Sequence, residues 1–101
     1  MALLQIVISP KLPAGESISP YVAEIHQYLK KTKFRHTLHD MGTIIEGNAG
    51  ELFALARKLH ELPFKRGIQR VYTIIQIDDR RDKKVGLGDK IKSVRSKMKK
   101  R

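Results

Sequence analysis

The sequence predicts a small α+β sandwich in which two helices cover one face of a four-stranded sheet. Short apolar stretches rich in β-branched residues alternate with amphipathic helical stretches, and Gly, Pro or Asn stands at the boundaries. The elements follow in the order β-α-β-β-α-β, whose right-handed crossovers interleave as a ferredoxin-like sandwich. An additional basic helix is predicted at about residues 87–101. The 101 residues fit a single domain, 1–101.

The first half of the chain provides a strand, a helix and a hairpin. An apolar run over residues 3–9 predicts the first strand. Ser19 as N-cap and Pro20 as the first helical residue predict the start of a helix, whose apolar residues recur at helical spacing. Residues 34–39 and 43–46 then predict two strands that pair as a hairpin.

The second half provides a long helix and the last strand. Asn48 and Glu51 form a capping-box pattern ahead of a leucine-rich stripe, and Pro63 and Gly67 are expected to end that helix. Residues 71–77 predict the last strand, and both of its faces are partly apolar. A sheet with helices on one side normally has its other face in water. We therefore expect another chain to cover the open face.

Most of the positive charge lies in the C-terminal segment. Residues 1–79 contain ten Lys or Arg and eight Asp or Glu, a net charge of +2, whereas residues 80–101 contain eleven and two, a net charge of +9. A nucleic-acid-binding module that uses the basic C-terminal helix is therefore an alternative function. Phe34 and Tyr72 are too few strand aromatics for base stacking, so a solvated helix face is favoured over RNA binding.

Several classes of chemistry lack the residues that they require. The chain has no cysteine, which excludes disulfides, thiolate metal sites and a Cys nucleophile and favours a cytoplasmic location. The N-terminus has no basic segment of the secretory kind, and no apolar run approaches the about 20 residues of a membrane span. His36 and His39 face opposite ways on one strand because their spacing is odd. We expect no metal site and no enzyme activity.

Two groups of polar residues remain as candidates. Thr43 and Glu46 lie on one short predicted strand, and their odd spacing places them on opposite faces. A hairpin and a helix cap do not account for Glu46, whose role as a ligand-binding or a structural residue stays open. Residues 78–81 are two aspartates followed by two arginines. Such carboxylates can bind Mg²⁺, but pairing with the arginines or with a neighbouring subunit is favoured.

Four segments carry a resemblance to a known family. Residues 41–47 (MGTIIEG), 67–71 (GIQRV), 77–83 (IDDRRDK) and 90–94 (KIKSV) follow in an order and spacing that resemble the small thiamine-binding-protein family. The resemblance spans nearly the whole chain. It implies a ferredoxin-like fold, a homotetramer of dimers whose sheets meet, and non-catalytic binding of thiamine or its hydroxymethylpyrimidine part in a pocket at the sheet and subunit interface.

The resemblance also implies which residues act. The implied ligand-binding residues are Ser9, Thr43, Glu46 and Asp78, and those implied to hold the oligomer are Asp79, Arg80 and Arg81. Glu46 would pair with the aminopyrimidine ring of thiamine. No cofactor is expected beyond thiamine as the bound ligand, and the net charge of +11 favours a phosphorylated thiamine. The loop over residues 11–17 and the basic tail depart from the family's pattern.

Overall fold

The computed structural model describes residues 1–99 of the chain. Within them, strands and helices follow in the order β1 (Ala2–Pro10), α1 (Ser19–Lys30), β2 (His36–His39), β3 (Gly42–Gly47), α2 (Ala49–Lys65), β4 (Val71–Asp79) and α3 (Asp89–Met98). The predicted ferredoxin-like arrangement with an additional C-terminal helix is confirmed. Of the helix predicted at about residues 87–101, the last two positions lie outside the described residues.

The sheet has the strand order β2-β3-β1-β4, and every neighbouring pair is antiparallel. The crossover through α1 passes over β3, and the crossover through α2 passes over β1, as the interleaved prediction requires. In the register, Leu4 of β1 lies between Ile45 of β3 and Ile77 of β4. The two edge strands are therefore β2 and β4.

The core lies between the sheet and the helices α1 and α2. Along β1 the even-numbered residues are buried and the odd-numbered residues are half-buried, which reflects the two-residue period of a strand. Burying one Leu or Ile stabilises a fold by about 1.5–3 kcal/mol. The helices add side chains at helical spacing, and the largest fully buried side chains are Leu4, Leu29, Ile45, Leu52, Leu59 and Pro63.

The N-cap of helix α1 lies one residue before the position that the sequence predicted. Ser19 is the first helical residue and Ile18 occupies the N-cap position, so the prediction of Ser19 as the N-cap is wrong by one position. The side-chain oxygen of Ser17 accepts a hydrogen bond from the Ser19 N–H at 3.1 Å. A serine two residues upstream therefore satisfies one N–H of the first turn.

Helix α2 continues through Pro63, which the sequence predicted would end it. Pro63 lies in the last turn and is fully buried, so its ring adds to the core while its missing N–H costs the helix one hydrogen bond. Gly67 has a φ of +91° and follows the last turn. Its N–H donates to the Phe64 carbonyl, and the Ile68 N–H donates to the Pro63 carbonyl. This pair of bonds is a Schellman motif.

The start of α2 follows the prediction only in part. The Oδ1 atom of Asn48 accepts hydrogen bonds from the N–H groups of Gly50 and Glu51 at 2.9 and 3.4 Å, so the predicted cap is confirmed. The Glu51 carboxylate does not complete a capping box, because it pairs with Lys33 at 2.8 Å. This ion pair links α2 to the segment that leads into β2.

Apolar side chains remain exposed on the face of the sheet opposite α1 and α2, which we call the open face. Tyr72 and Ile74 on β4 are exposed there, as the half-apolar pattern of the strand predicted. Helix α3 also exposes an apolar edge, formed by Ile91, Val94 and Met98. Among residues 1–99, no helix is long and apolar enough to cross a membrane.

Candidate functional site

The candidate ligand-binding residues lie on both faces of the sheet. Thr43 faces the helices and is buried, whereas Glu46 faces the open side, which confirms that their odd spacing separates them. Ser9 pairs with Tyr72 on the open face, and Asp78 pairs with Leu3 at the other end of β1. The structure therefore does not bring the four candidates together.

Glu46 and Asp78 flank one residue of the central strand. Leu3 pairs with Glu46 on one side and with Asp78 on the other, so the two carboxylates stand on neighbours of β1. Adjacent strands lie about 4.8 Å apart, which puts roughly 10 Å between the two backbone positions. Each carboxylate already has a partner within the described part of the chain.

The Glu46 carboxylate holds the segment that follows β4. Its Oε1 atom accepts a hydrogen bond from the Leu87 N–H at 2.8 Å, and the Arg35 guanidinium lies 3.8 Å from the same atom. Only 11% of the Glu46 side chain is exposed. A Cβ at Gly86 would lie 2.6 Å from Oε1, which is closer than real Cβ contacts, so a larger residue there would displace the Glu46 carboxylate. We call this contact the Glu46 latch.

The charged run after β4 forms local ion pairs. Asp78 accepts a hydrogen bond from Lys90 Nζ at 2.9 Å. The Arg81 guanidinium donates to Asp79 at 2.7 Å, and this hydrogen bond lowers the pKa of the Asp79 carboxyl. Arg80 pairs with the next aspartate in the same way. The pairing of the two carboxylates with the following arginines is thus present within one chain for Asp79, whereas Asp78 pairs with a lysine of α3.

A cavity of about 250 Å³ lies on the other side of the sheet, between β1, the first turns of α1 and the β2–β3 hairpin. We call it the helix-side cavity. Its walls are mainly aliphatic, and its polar lining comes from Thr43, His39 and Asp40. A shallower groove, the α1 groove, continues from it along α1 as far as His26. The sequence did not reveal this cavity, because it depends on how β1, α1 and the hairpin pack against one another.

A hydrogen bond joins the cavity to the groove. The Oγ1 atom of Thr43, a residue that is only 5% exposed, lies 2.9 Å from Nε2 of His26. Burial and then the charge of the neighbouring His36 lower the pKa of His26, so the neutral ring is favoured. The two histidine ring centroids lie 5.6 Å apart. Together the hydroxyl and the neutral imidazole offer hydrogen-bond donors and acceptors on an apolar wall.

Sequence reasoning missed His26. Its position on α1 resembles that of an ordinary surface histidine, and only the register of β3 against the helices places Thr43 beside it. His36 and His39 lie on opposite faces, as predicted. Among residues 1–99, no three His, Asp or Glu side chains converge as a metal site would require.

Comparison with known proteins identifies a family. The sequence model of the family described as thiamine-binding protein matches residues 4–95. The UPF0045 protein YqgV of Bacillus subtilis is 43% identical over 98 residues, which cover 93% of this chain and 94% of the relative. A UPF0045 protein of Methanothermobacter thermautotrophicus is 37% identical over 99 residues, which cover 97% of this chain and 100% of the relative.

Solved structures share the fold. A hypothetical protein of Methanocaldococcus jannaschii superimposes with a TM-score of 0.79 at 28% identity, over 92% of this chain and 94% of the other. A protein of Thermotoga maritima, for which a role in thiamine biosynthesis or salvage has been suggested, gives a TM-score of 0.77 at 13% identity. That match covers 92% of this chain and 97% of the other, and at this identity it supports the fold alone.

Proposed function

Because the chain belongs to the thiamine-binding protein family, we propose that it binds thiamine, or the hydroxymethylpyrimidine part of thiamine, in the helix-side cavity without catalysing a reaction. The observation that carries this proposal is the Thr43–His26 hydrogen bond, which joins the mainly aliphatic cavity that Thr43 lines to the groove that His26 lines. Ligand pockets commonly combine apolar walls with a few well-placed polar groups. The family is described by binding, and its description names no reaction.

The chemistry of the aminopyrimidine ring suits these two side chains. The ring presents an exocyclic amine that donates hydrogen bonds and ring nitrogens that accept them. The hydrogen bond between the Thr43 hydroxyl and the neutral His26 ring uses one donor and one acceptor, which leaves the pair with one donor and two acceptors for a ligand. Aliphatic walls above and below favour a flat ring, because they bury its apolar faces.

The cavity is large enough for one of the two rings of thiamine. Pockets for drug-sized ligands span about 300–1,000 Å³, and the cavity of about 250 Å³ is slightly smaller. The pyrimidine ring would therefore fill the cavity, and the thiazolium ring would lie at its mouth. Exposed apolar side chains surround that mouth, among them Met41, whose exposed fraction is 83%.

The test is isothermal titration with thiamine and with hydroxymethylpyrimidine. Thr43→Val keeps the shape of the side chain and removes its hydroxyl, and we expect at least a tenfold loss of affinity for both ligands. Thr73→Val is the matched control, because Thr73 also bonds to a histidine, His60, at 2.7 Å but does not line the cavity. Equal dissociation constants for wild type and Thr43→Val would contradict the site.

The salt dependence of binding distinguishes thiamine binding from the alternative function, nucleic-acid binding by the basic helix. A basic helix that binds nucleic-acid phosphates should lose most of its affinity between about 50 and 200 mM salt, because counterions are released on binding. Binding of the pyrimidine ring in an apolar cavity should barely change over the same range. The titrations are therefore run at both salt concentrations.

The protein also forms a homo-oligomer through its open face in this proposal. Val7, Ile44 and Ile74 line the centre of that face, and Ile74 is exposed in the single chain. Exposed apolar faces of this kind support self-association. Light scattering of the Ile74→Lys variant should give a smaller mass than wild type. Phe53→Lys is the control, because Phe53 is an exposed apolar residue on α2.

Several sequence-based expectations stay predictions. They are ligand contacts by Ser9, Glu46 and Asp78, oligomer contacts by residues 79–81, a tetramer rather than a dimer, and a cytoplasmic location. The Glu46 latch and the Asp78–Lys90 ion pair supply partners that a ligand would have to displace.

A further inference from the structure

The cavity and the groove contrast with the overall charge of the chain. The net charge is +11, with 21 Lys and Arg residues. None of the side chains that line the helix-side cavity or the α1 groove is Lys or Arg, and Asp40 is the acidic residue that lines both. A cavity built for a phosphate or a diphosphate would present basic side chains or free N–H groups.

The start of α1 does not provide such N–H groups. The Ser19 N–H donates to the Ser17 side chain, and Pro20 has no N–H. The N–H groups of Tyr21 and Val22 donate to the Ile18 carbonyl at 2.9 and 3.2 Å. A helix N-terminus attracts anions through its free N–H groups, and in this first turn they are occupied or missing. Ile18 and Ser19 line the groove, so this closed helix start lies beside the proposed ligand.

Asp40 is exposed in the turn between β2 and β3, at the mouth of the cavity. Within residues 1–99, no Lys or Arg lies within ion-pair distance of its carboxylate. Asp79 at the end of β4 and Asp82 just after it differ, because each pairs with an arginine. No Lys or Arg of the described residues therefore competes with a ligand group at the mouth for the Asp40 carboxylate.

Building on the proposed function, we infer that the site selects the unphosphorylated, cationic form of the vitamin, and that Asp40 determines this specificity. With the pyrimidine ring in the cavity, the thiazolium cation lies at the mouth, where the Asp40 carboxylate attracts it. The same carboxylate repels a phosphate ester, and neither a basic side chain nor the α1 N-terminus offsets that repulsion. Specificity of this kind combines attraction of one ligand with repulsion of its competitor.

This inference reverses the expectation drawn from net charge. The net positive charge that favoured a phosphorylated thiamine lies mostly in residues 80–101, which carry +9 of the +11. The segment begins at the end of β4, where Asp79 pairs with Ala2, whereas the cavity is lined by Ile6 to Ile8 at the other end of β1. Charges on opposite ends of the sheet are screened beyond about 8 Å at physiological salt.

The experiment measures dissociation constants for hydroxymethylpyrimidine, thiamine, thiamine monophosphate and thiamine diphosphate at physiological salt, where the charges of residues 80–101 are screened. Wild type should bind thiamine more tightly than either phosphate ester. Asp40→Asn should weaken thiamine binding about three- to fivefold, the upper part of the range for an exposed ion pair. It should also tighten binding of the two esters and leave the neutral pyrimidine unchanged. Asp82→Asn is the control, since it removes the same charge far from the cavity.

Each outcome has a separate meaning. A wild type that binds neither thiamine nor the pyrimidine overturns the proposed function itself. A wild type that binds thiamine diphosphate as tightly as thiamine overturns the inference and leaves the proposed function intact. The inference is also overturned if Asp40→Asn changes all four dissociation constants by one common factor, because charge selection predicts opposite changes for the cation and for the esters.

Discussion

The largely buried polar residues on the two faces of the sheet have different surroundings. On the helix side, Thr43 and His26 bond to each other beside an unfilled cavity of about 250 Å³. On the open face, Glu46 is nearly as buried, but the backbone of residues 86–87 occupies its carboxylate. Both Thr43 and Glu46 belong to β3 and to the same family-like segment. A polar residue inside a strand therefore indicates a ligand only where space remains beside it.

The largest expected effect comes from filling the cavity. Val22 lines both the helix-side cavity and the α1 groove, so Val22→Phe would place a ring where we propose that the ligand binds. We expect no measurable thiamine binding by titration. Ile74→Phe makes a comparable enlargement on the open face and should bind normally. Because overpacking costs about 1–3 kcal/mol, thermal melts of both variants check that they remain folded.

The opposite pattern in these two variants would reverse the comparison. If Ile74→Phe lost binding and Val22→Phe kept it, the ligand would bind on the open face, as the sequence resemblance implies. The candidates Ser9, Glu46 and Asp78 would then regain the ligand-binding role that the resemblance assigns to them.

A second effect, on stability, comes from the Glu46 latch. Gly86→Ala would force a methyl group against the Glu46 carboxylate, at 2.6 Å from Oε1, and break the bond to the Leu87 N–H. We expect a loss of about 1–3 kcal/mol in the free energy of unfolding, the cost of an unsatisfied buried polar group. Urea unfolding measures this loss, and amide hydrogen exchange of Leu87 should become faster.

A double variant separates steric conflict from other effects of the new methyl group. Glu46→Ala removes the carboxylate, so Gly86→Ala should cost much less in that background than in wild type. Such non-additivity is expected only for residues in contact. Additive losses would mean that residue 86 and Glu46 do not interact, which would contradict the contact that we call the Glu46 latch.

A smaller effect distinguishes whether Glu46 holds the segment after β4 or binds the ligand. Glu46→Gln keeps an oxygen that can accept the Leu87 N–H and removes the charge, so the latch should weaken by about 1 kcal/mol. Thiamine affinity should stay within about twofold of wild type, since Glu46 does not line the helix-side cavity. A loss of tenfold or more would support the sequence-based interpretation that Glu46 pairs with the aminopyrimidine.

The sequence predicted the fold well because its signals are local. The two-residue alternation over residues 3–9 and the leucine stripe of α2 each follow from the period of one element. The strand order then follows from the handedness of two crossovers. The end of α2 could not be predicted in the same way, because Pro63 is tolerated for its burial against residues distant in sequence.

The candidate site was less accessible to sequence reasoning. Residues 41–47 contain both Thr43 and Glu46, and their odd spacing correctly predicted that the two side chains lie on opposite faces. Thr43 contacts His26, which is 17 positions away along the chain, and Glu46 contacts Leu87, which is 41 positions away. No local pattern encodes such contacts. The cavity lies between three elements, and neither composition nor periodicity indicates how much space remains between packed elements.

The smallest expected effect is a pH dependence that comes from His26. Burial and the charge of His36 lower its pKa below the ordinary value of 6.5, so the folded state binds fewer protons than the unfolded state. Stability therefore rises with pH in this range. It should fall as the pH drops through 6.5, until the folded state is protonated as well. Protonated His26 can only donate hydrogen bonds, so the acceptor that the neutral ring offers is lost and thiamine affinity should fall over the same interval.

Unfolding and titration between pH 5 and pH 8, about the range in which histidine changes charge, measure both slopes. His26→Asn should remove the part of each slope that His26 contributes, because the amide does not titrate. His60→Asn is the matched control, since His60 bonds to Thr73 in the same way but lies outside the cavity. If stability changes with pH while affinity does not, protonation of His26 matters to the core alone. The ligand would then contact Thr43 without help from the imidazole, and the proposed polar pair would reduce to one hydroxyl group.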